Sequence, residues 1–170
     1  DALTERGTLL IGGTAGVTRW GNDGETATSA SLSPRLGLFV TDALAVGASV
    51  SGTYSRYSSE DFLTGLERTS TQTSVGASPF ATYYLGAPEA SVRPYLGVSV
   101  GVRRRTIRQT GVIVSPNAST TDVQGDFSAG ALLRLGPNVG LTGEAFYSWF
   151  ETLSNEQYGV RGGIAVFLGR

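Results

Sequence analysis

The strongest constraint on the fold is an apolar residue at every second position, which is clearest between Val92 and Arg105. Along this segment the apolar positions are Val92, Pro94, Leu96, Val98, Val100 and Val102. The positions between them are small, polar or charged: Arg93, Tyr95, Gly97, Ser99, Gly101 and Arg103. A strand places alternate side chains on opposite faces, whereas a helix repeats every 3.6 residues. The segment is therefore predicted to be a strand with one apolar and one polar face.

The same alternation recurs along the chain and predicts eight strands in all. Their predicted ranges are Thr8–Arg19, Thr28–Val40, Leu44–Tyr57, Thr71–Leu85, Val92–Arg105, Asp122–Leu135, Val139–Glu151 and Tyr158–Leu168. The connections at 41–43, 86–90 and 136–138 are short and carry turn residues, while those near 21–26, 58–70, 109–121 and 152–157 are mostly longer and more polar. This order predicts one domain over residues 1–170, an all-β, eight-stranded antiparallel up-and-down barrel with both termini at the short-turn end.

The composition of the two faces favours a transmembrane barrel over a soluble one. The polar face is rich in Gly and Ser, which suits a narrow lumen, and the apolar face runs for about ten residues per strand, which suits a tilted strand crossing a bilayer. Aromatic residues on the apolar face predict an interfacial girdle: Tyr54, Tyr147, Trp149 and Tyr158 toward the loops and Tyr83 toward the turns. The alternative is a soluble lipocalin-like carrier with the faces inverted. Three strand prolines, Pro34, Pro79 and Pro94, predict local bulges or weaker pairing.

The residue types that the chain lacks exclude several kinds of chemistry. It has no Cys and no His, so disulfides, zinc sites built on those residues, and Cys or His catalysis are excluded. A net charge of −1 gives no drive toward nucleic acid. No metal and no cofactor is expected.

Two segments resemble recurrent strands of the outer-membrane β-barrel domain family in the broad OmpA/OmpX-like sense. They are "SLSPRLGLFVTDALAVGASVSGTYSRY", residues 31–57, and "RPYLGVSVG", residues 93–101. The last strand, "GVRGGIAVFLGR", is similar to the C-terminal insertion signal of the family, but it ends in Gly169-Arg170 instead of an aromatic residue. The resemblance implies the outer membrane of a Gram-negative cell and names no activity. Small enzymatic barrels such as lipid A deacylases, palmitoyltransferases and omptin proteases rely on His, so the resemblance implies that this chain is not an enzyme.

Charged residues on the predicted lumen face form two groups. Arg35, Glu144 and Arg161 are predicted to lie at similar depth with Asp126 somewhat higher, and Glu144 is expected to accept hydrogen bonds from Arg161 and from Arg35 across the lumen. This set is interpreted as a plug, with a gate to a narrow pore as the alternative. At the lumen mouth, Arg103 and Arg105 are predicted to form a cross-strand pair with Asp122.

Three arginines fall on the predicted lipid face near the loops. Arg19, Arg56 and Arg104 could meet lipopolysaccharide phosphates there, or could simply extend to the interface. The loops "EDFLTGLER", from Glu60, and "GVIVSPNAST", from Gly111, carry apolar residues that could contact a protein partner.

The sequence thus predicts a non-enzymatic outer-membrane barrel with a structural or interaction role, its surface loops serving adhesion or assembly. A narrow channel or small-ligand transport barrel is the alternative. The expected partners are outer-membrane lipid and lipopolysaccharide.

Overall fold

Eight strands close into a single barrel in the computed structural model, which describes residues 3–22, 25–60, 67–110, 118–150 and 156–169. The strands are β1 Leu9–Asn22, β2 Glu25–Phe39, β3 Leu44–Glu60, β4 Glu67–Tyr84, β5 Val92–Thr110, β6 Ala118–Arg134, β7 Val139–Phe150 and β8 Glu156–Leu168. Each strand pairs antiparallel with the next, and β8 pairs with β1. The predicted all-β fold and strand order are confirmed. The described residues include no helix that is long and apolar enough to cross a membrane.

The predicted strand ends are accurate to within one residue at the short turns, and at the loops they are too short for every strand except β7, which ends at Phe150. β2 ends at Phe39 and β3 begins at Leu44, each within one residue of the prediction. At the other end, β5 continues to Thr110, and β6 begins at Ala118 instead of Asp122. The hairpin arms therefore extend beyond the alternating segments, into sequence that is polar on both faces.

The pairing register fixes the stagger of the barrel. Starting at Leu168, successive partners are Leu9, Leu38, Val46, Ala81, Val98, Phe127, Tyr147 and Tyr158. This path returns to β8 ten residues from its start, so the shear number is 10. With eight strands, that stagger tilts each strand by about 40° from the barrel axis.

The apolar face of the sheet points outward. Large apolar side chains such as Leu32, Val98 and Val160 are exposed on the outside, while Arg103, Asp122 and Glu144 are buried within the lumen. An apolar surface of this extent is not stable in water and needs a bilayer around it. The alternative of a soluble lipocalin-like carrier is therefore wrong, because its apolar side chains would have to face inward.

Two of the three strand prolines interrupt pairing without shifting it, whereas Pro94 pairs with Ala131 in an unbroken part of the β5–β6 ladder. Between β2 and β3, pairing passes from Leu32–Gly52 to Arg35–Ser49, which skips Pro34 but advances three residues on both strands. Pro79 interrupts the β4–β5 ladder in the same way. The expected weaker pairing is present at Pro34 and Pro79. The alternative expectation of bulges is not met there, because a bulge would advance one strand more than its neighbour.

The lumen is divided into a packed half and an open half. Toward the short turns, buried side chains from seven strands and from the N-terminal segment form one cluster: Leu3, Leu10, Phe39, Ala45, Tyr84, Tyr95, Leu132, Ala165 and Phe167. Toward the loops, the lumen side chains are mainly serines and charged residues around a cavity. The core of this protein is thus a plug at one end of the barrel.

Candidate functional site

Arg93 seals the turn end of the barrel. Its side chain is only 2% exposed. Its guanidinium donates to the carbonyl oxygens of Asp42 (3.3 Å), Tyr84 (3.2 Å), Leu85 (3.4 Å) and Gly86 (3.2 Å). These acceptors belong to two of the short connections and to the end of β4, so one buried cation ties several backbone segments together.

Two neighbours of Arg93 complete this seal. The Thr4 hydroxyl accepts a further hydrogen bond from Arg93, which fastens the N-terminal segment beneath the barrel. Pro94 has no N–H to donate to Leu85, although the Leu85 N–H donates to the Pro94 carbonyl at 2.8 Å. The Arg93 Nε donates to the Leu85 carbonyl in place of the missing backbone donor. Sequence reasoning placed Arg93 on the lumen face but assigned it no role.

Above the seal, aromatic rings fill the lumen. The Phe39 ring lies 5.4 Å from the Tyr84 ring and 6.2 Å from the Phe167 ring, measured between centroids, and the Tyr84 and Tyr95 rings are 5.4 Å apart. All four rings are buried. Tilted contacts at these separations are favourable for aromatic pairs, so the plug is a packed cluster.

Glu144 lies on top of the aromatic cluster and has partners on both sides. Arg161, directly opposite on β8, forms an ion pair with Oε1, and the Tyr95 hydroxyl donates to Oε2 at 2.8 Å. Tyr95 and Glu144 are two strands apart, with Gly130 of β6 between them in the ladder. Because glycine has no side chain, Tyr95 can reach across β6 to the carboxylate.

The predicted four-residue network divides into separate groups. Arg161 lies on Glu144 as expected, but Arg35 forms no hydrogen bond or ion pair with any residue that the structure describes. Asp126 is not bonded to arginine; it accepts hydrogen bonds from Ser99 (3.1 Å), Gln124 (2.9 Å) and Ser148. Arg35 therefore attracts Glu144 through its charge but does not donate the expected hydrogen bond. The hydroxyl and amide donors hold Asp126 directly, while Arg103 acts on it through its charge.

A cavity of about 220 Å³ occupies the loop-end half of the lumen. Its lining contains many hydroxyl groups together with three arginines, Arg35, Arg103 and Arg161, and two carboxylates, Asp126 and Glu144. The aromatic plug closes the cavity toward the short turns. The cavity is therefore polar and closed at that end.

At the lumen mouth, Arg103 and Asp122 are opposite each other in the β5–β6 ladder. Arg103 nevertheless donates to Ser74 at 2.6 Å, and the buried Asp122 Oδ1 accepts no hydrogen bond from the described residues. Arg105 lies two residues further along β5. Arg103 therefore lies opposite Asp122 as predicted, and the two opposite charges attract each other.

On the outside, arginines form a row near the loop end. Arg56 of β3 and Arg108 of β5 both pair with Thr71 of β4, so they flank it in adjacent ladder positions about 10 Å apart. Arg104 lies four residues from Arg108 on the same face and donates to Ser119 at 3.1 Å. All three arginine side chains are exposed. Arg56, Arg104 and Arg108 are hereafter the outer arginine row.

The Arg19 side chain and the apolar loop segments, both singled out in the sequence, lie outside the described part of the structure. The Arg19 backbone pairs with Thr28, but its side chain lies outside the described part of the structure. The loop segments 61–66 and 111–117 also lie outside the described residues.

Arg108 was not predicted to belong to the outward face, because the alternation that marks β5 in the sequence ends before it.

A family model described as the outer membrane protein beta-barrel domain matches residues 2–164. The chain belongs to this family. Its location is therefore the bacterial outer membrane, in which the outward apolar face contacts lipid and the aromatic residues Tyr54, Tyr83, Tyr147, Trp149 and Tyr158 are all exposed on that face.

Two solved structures show the same fold as this outer membrane barrel. The N-terminal β-barrel domain of Pseudomonas aeruginosa OprF is 16% identical with a TM-score of 0.53, and the match covers 96% of this chain and 98% of that one. Neisserial surface protein A is 20% identical with a TM-score of 0.52, and the match covers 94% of each chain. A search among proteins with curated descriptions found no significant match. At these identities the structural likeness establishes the fold alone.

Proposed function

We propose that this protein is a non-enzymatic interaction barrel that holds lipopolysaccharide through the outer arginine row. The observation that carries the proposal is the placement of Arg56 and Arg108 on either side of Thr71, on the outward face and near the loops. Tyr54, an outward aromatic, lies two residues from Arg56 toward the membrane centre. Aromatic residues mark the membrane interface, so the row lies at the level of lipid head groups.

The chemistry of the row suits phosphate. Arginine binds phosphate oxygens through paired N–H donors, and these charge-assisted hydrogen bonds are about twice as strong as neutral ones. Among the outward side chains that the structure describes, none is acidic, so no described carboxylate lies on the outside beside the row. Cations about 10 Å apart can each engage a separate phosphate of one head group or of neighbouring molecules.

The sealed lumen supports an interaction role over conduction. The aromatic cluster and Arg93 fill the turn end, where any aqueous path would have to leave the barrel. The lumen acids also support a non-enzymatic role, because Glu144 and Asp126 already accept hydrogen bonds from neighbouring side chains. The predicted contribution of the surface loops to adhesion or assembly falls largely outside the described residues and stays a prediction.

The test is the binding of lipopolysaccharide to the detergent-solubilised barrel. The double variant Arg56→Gln with Arg108→Gln should bind it about tenfold more weakly than the wild-type barrel, because it loses two charge-assisted contacts that salt and water partly screen. A control with the same change in charge is Arg6→Gln with Arg134→Gln, both near the turn end. The control should bind as the wild type does.

A second comparison separates phosphate recognition from contact with acyl chains. Dephosphorylated lipopolysaccharide should bind weakly to every variant alike. Equal binding of the two lipid forms, or equal losses in the two double variants, would show that the row does not recognise phosphate. Each variant is first checked for folding by the difference in gel mobility between boiled and unboiled samples.

A further inference from the structure

The barrel wall is incomplete where its first and last strands meet. β1 extends to Asn22 and β8 begins at Glu156, yet their pairing ends at Ala15–Gly162. Beyond that pair, the described parts of the two strands run toward the loops without pairing to each other. Val17 of β1 is 78% exposed and Val160 of β8 is 84% exposed, as expected for neighbours that have separated. The β1–β8 seam therefore has a gap in its loop-end part.

The gap lies within the membrane. From Leu168 at the turn end to Gly162 is six residues, which corresponds to roughly 15 Å along the barrel axis for a tilted strand. The apolar band of such barrels is about 25 Å tall, so the gap opens toward the leaflet nearer the loops. Backbone groups in lipid must be satisfied, and non-helical backbone persists at this depth only where it lines a wet cavity. The polar lumen supplies that cavity here, since Gly16 and Arg161 line it.

A groove on the outside of the barrel adjoins the lumen cavity at the gap. This groove has a volume of about 460 Å³, and its outer lining consists of small residues: Ala15, Ala129, Gly143, Ala145 and Gly162. The lumen cavity and the groove share the residues Gly16, Glu144, Val160 and Arg161. A polar chamber and an apolar groove therefore meet at one place, which is the gap in the seam.

The cavity contains an arginine whose N–H donors are not engaged by the described residues, although its charge attracts Glu144. Glu144 is held by Arg161 and Tyr95, whereas Arg35 lines the same cavity without a hydrogen bond or ion pair to the described residues. The Ser33 hydroxyl, two residues from Arg35 in the lining of the same cavity, can donate a further hydrogen bond. The complementary group is an anion with several acceptor oxygens.

We propose that this barrel binds a single-chain anionic amphiphile of the fatty-acid type at the β1–β8 seam. Its carboxylate lies in the lumen against Arg35, and its acyl chain passes between Val17 and Val160 to lie in the outer groove. A ligand of this shape fits a polar chamber and an apolar groove that are joined by a lateral gap. The proposal does not depend on the outer arginine row, which lies on β3 and β5.

The first test is the binding of radiolabelled oleate to the barrel in phosphatidylcholine nanodiscs, with empty nanodiscs as the baseline. Arg35→Gln should weaken oleate binding at least about tenfold, because it removes the charge-assisted contact. Oleyl alcohol, which has the same chain and no charge, should bind weakly and equally to both forms. Acetate should not bind, because it lacks the chain. Oleate binding that is unchanged by Arg35→Gln, or that matches oleyl alcohol, would overturn the assigned head-group site.

The second test closes the gap. The chain has no cysteine, so Val17→Cys with Val160→Cys gives one pair that oxidation or a short bis-maleimide can join across the seam. The joined barrel should lose oleate binding. The matched control, Ile11→Cys with Val166→Cys, joins residues that are already paired in the lower seam and should keep it. Retained oleate binding in the cross-linked barrel would refute the path of the acyl chain through the gap. Cross-links that join two barrels would also overturn the proposal, because they would show that the unpaired edges of β1 and β8 contact a second copy of the chain.

Discussion

Replacing Tyr95 by phenylalanine removes a single hydroxyl from the centre of the plug. That hydroxyl donates to Glu144 Oε2 at 2.8 Å, and Tyr95 and Glu144 are 1% and 5% exposed. A hydrogen bond to a buried charged group contributes about 1.5–3 kcal/mol to stability. Glu144 also lines the lumen cavity, so water can partly replace the lost donor. We therefore expect Tyr95→Phe to lower the free energy of unfolding by about 1.5 kcal/mol, the lower end of that range.

The assay is reversible unfolding in denaturant with the barrel in lipid vesicles. Fluorescence of the two tryptophans follows unfolding, and gel mobility of unboiled samples confirms the folded form. The control is Tyr83→Phe, which removes the same hydroxyl from an exposed position on the lipid face of the neighbouring strand. The control should change stability by less than about 0.5 kcal/mol.

A double-mutant cycle with Glu144→Gln tests the cause directly. If the loss in Tyr95→Phe comes from the bond to Glu144, the two changes will not add, and their coupling should account for most of the effect. A loss below about 0.5 kcal/mol for Tyr95→Phe, an equal loss in Tyr83→Phe, or additive effects in the cycle would refute the reasoning.

Three further outcomes follow from the same geometry. In planar bilayers the wild-type barrel and Glu144→Ala should both show no conductance steps, because the plug below Glu144 stays in place; steps of single-channel size in either would show a gate. In denaturant, Arg93→Gln should cost about 3 kcal/mol or more, since several backbone acceptors lose a charged donor, while Arg6→Gln at the exposed turn end should be near neutral. Gly130→Ala should cost about 1–3 kcal/mol, because its Cβ would lie 2.4 Å from the Gly143 carbonyl oxygen, whereas Gly143→Ala meets no atom within 4 Å and should unfold as the wild type does.

The sequence predicted strand positions best within the bilayer and at the short turns. Inside the bilayer, one face must be apolar, so a shift of one residue would turn every side chain to the wrong side. Turn residues such as Asp42 and Gly86 then mark the strand ends closely. Beyond the bilayer, both faces of the hairpins meet water, and alternation is no longer required. This is why the extension of β5 to Thr110, and with it the outward position of Arg108, could not be predicted.

Contacts within the lumen were predictable only between neighbouring strands. Glu144 and Arg161 lie on consecutive strands at the same depth, so parity and turn position were enough to bring them together. The bond from Tyr95 to Glu144 crosses β6 and depends on the stagger of the closed barrel, which alternation does not encode. The hydrogen bond between Arg93 and Thr4 depends on the path of a segment that belongs to no strand.

Glycines opposite bulky residues give a physical reason for the register that the barrel adopts. Gly130 lies opposite Glu144, and Gly159 lies opposite Phe146, so each large lumen side chain covers a position on the next strand that has no side chain. A Cβ at Gly159 would lie 3.1 Å from the Phe146 ring, and a Cβ at Gly130 would lie 2.7 Å from the Glu144 Cβ. A shift of β7 against either neighbour would move these side chains onto occupied positions, at a cost typical of overpacking. The pairing of glycine with a large residue across a ladder thus specifies register in a lumen otherwise lined by interchangeable serines.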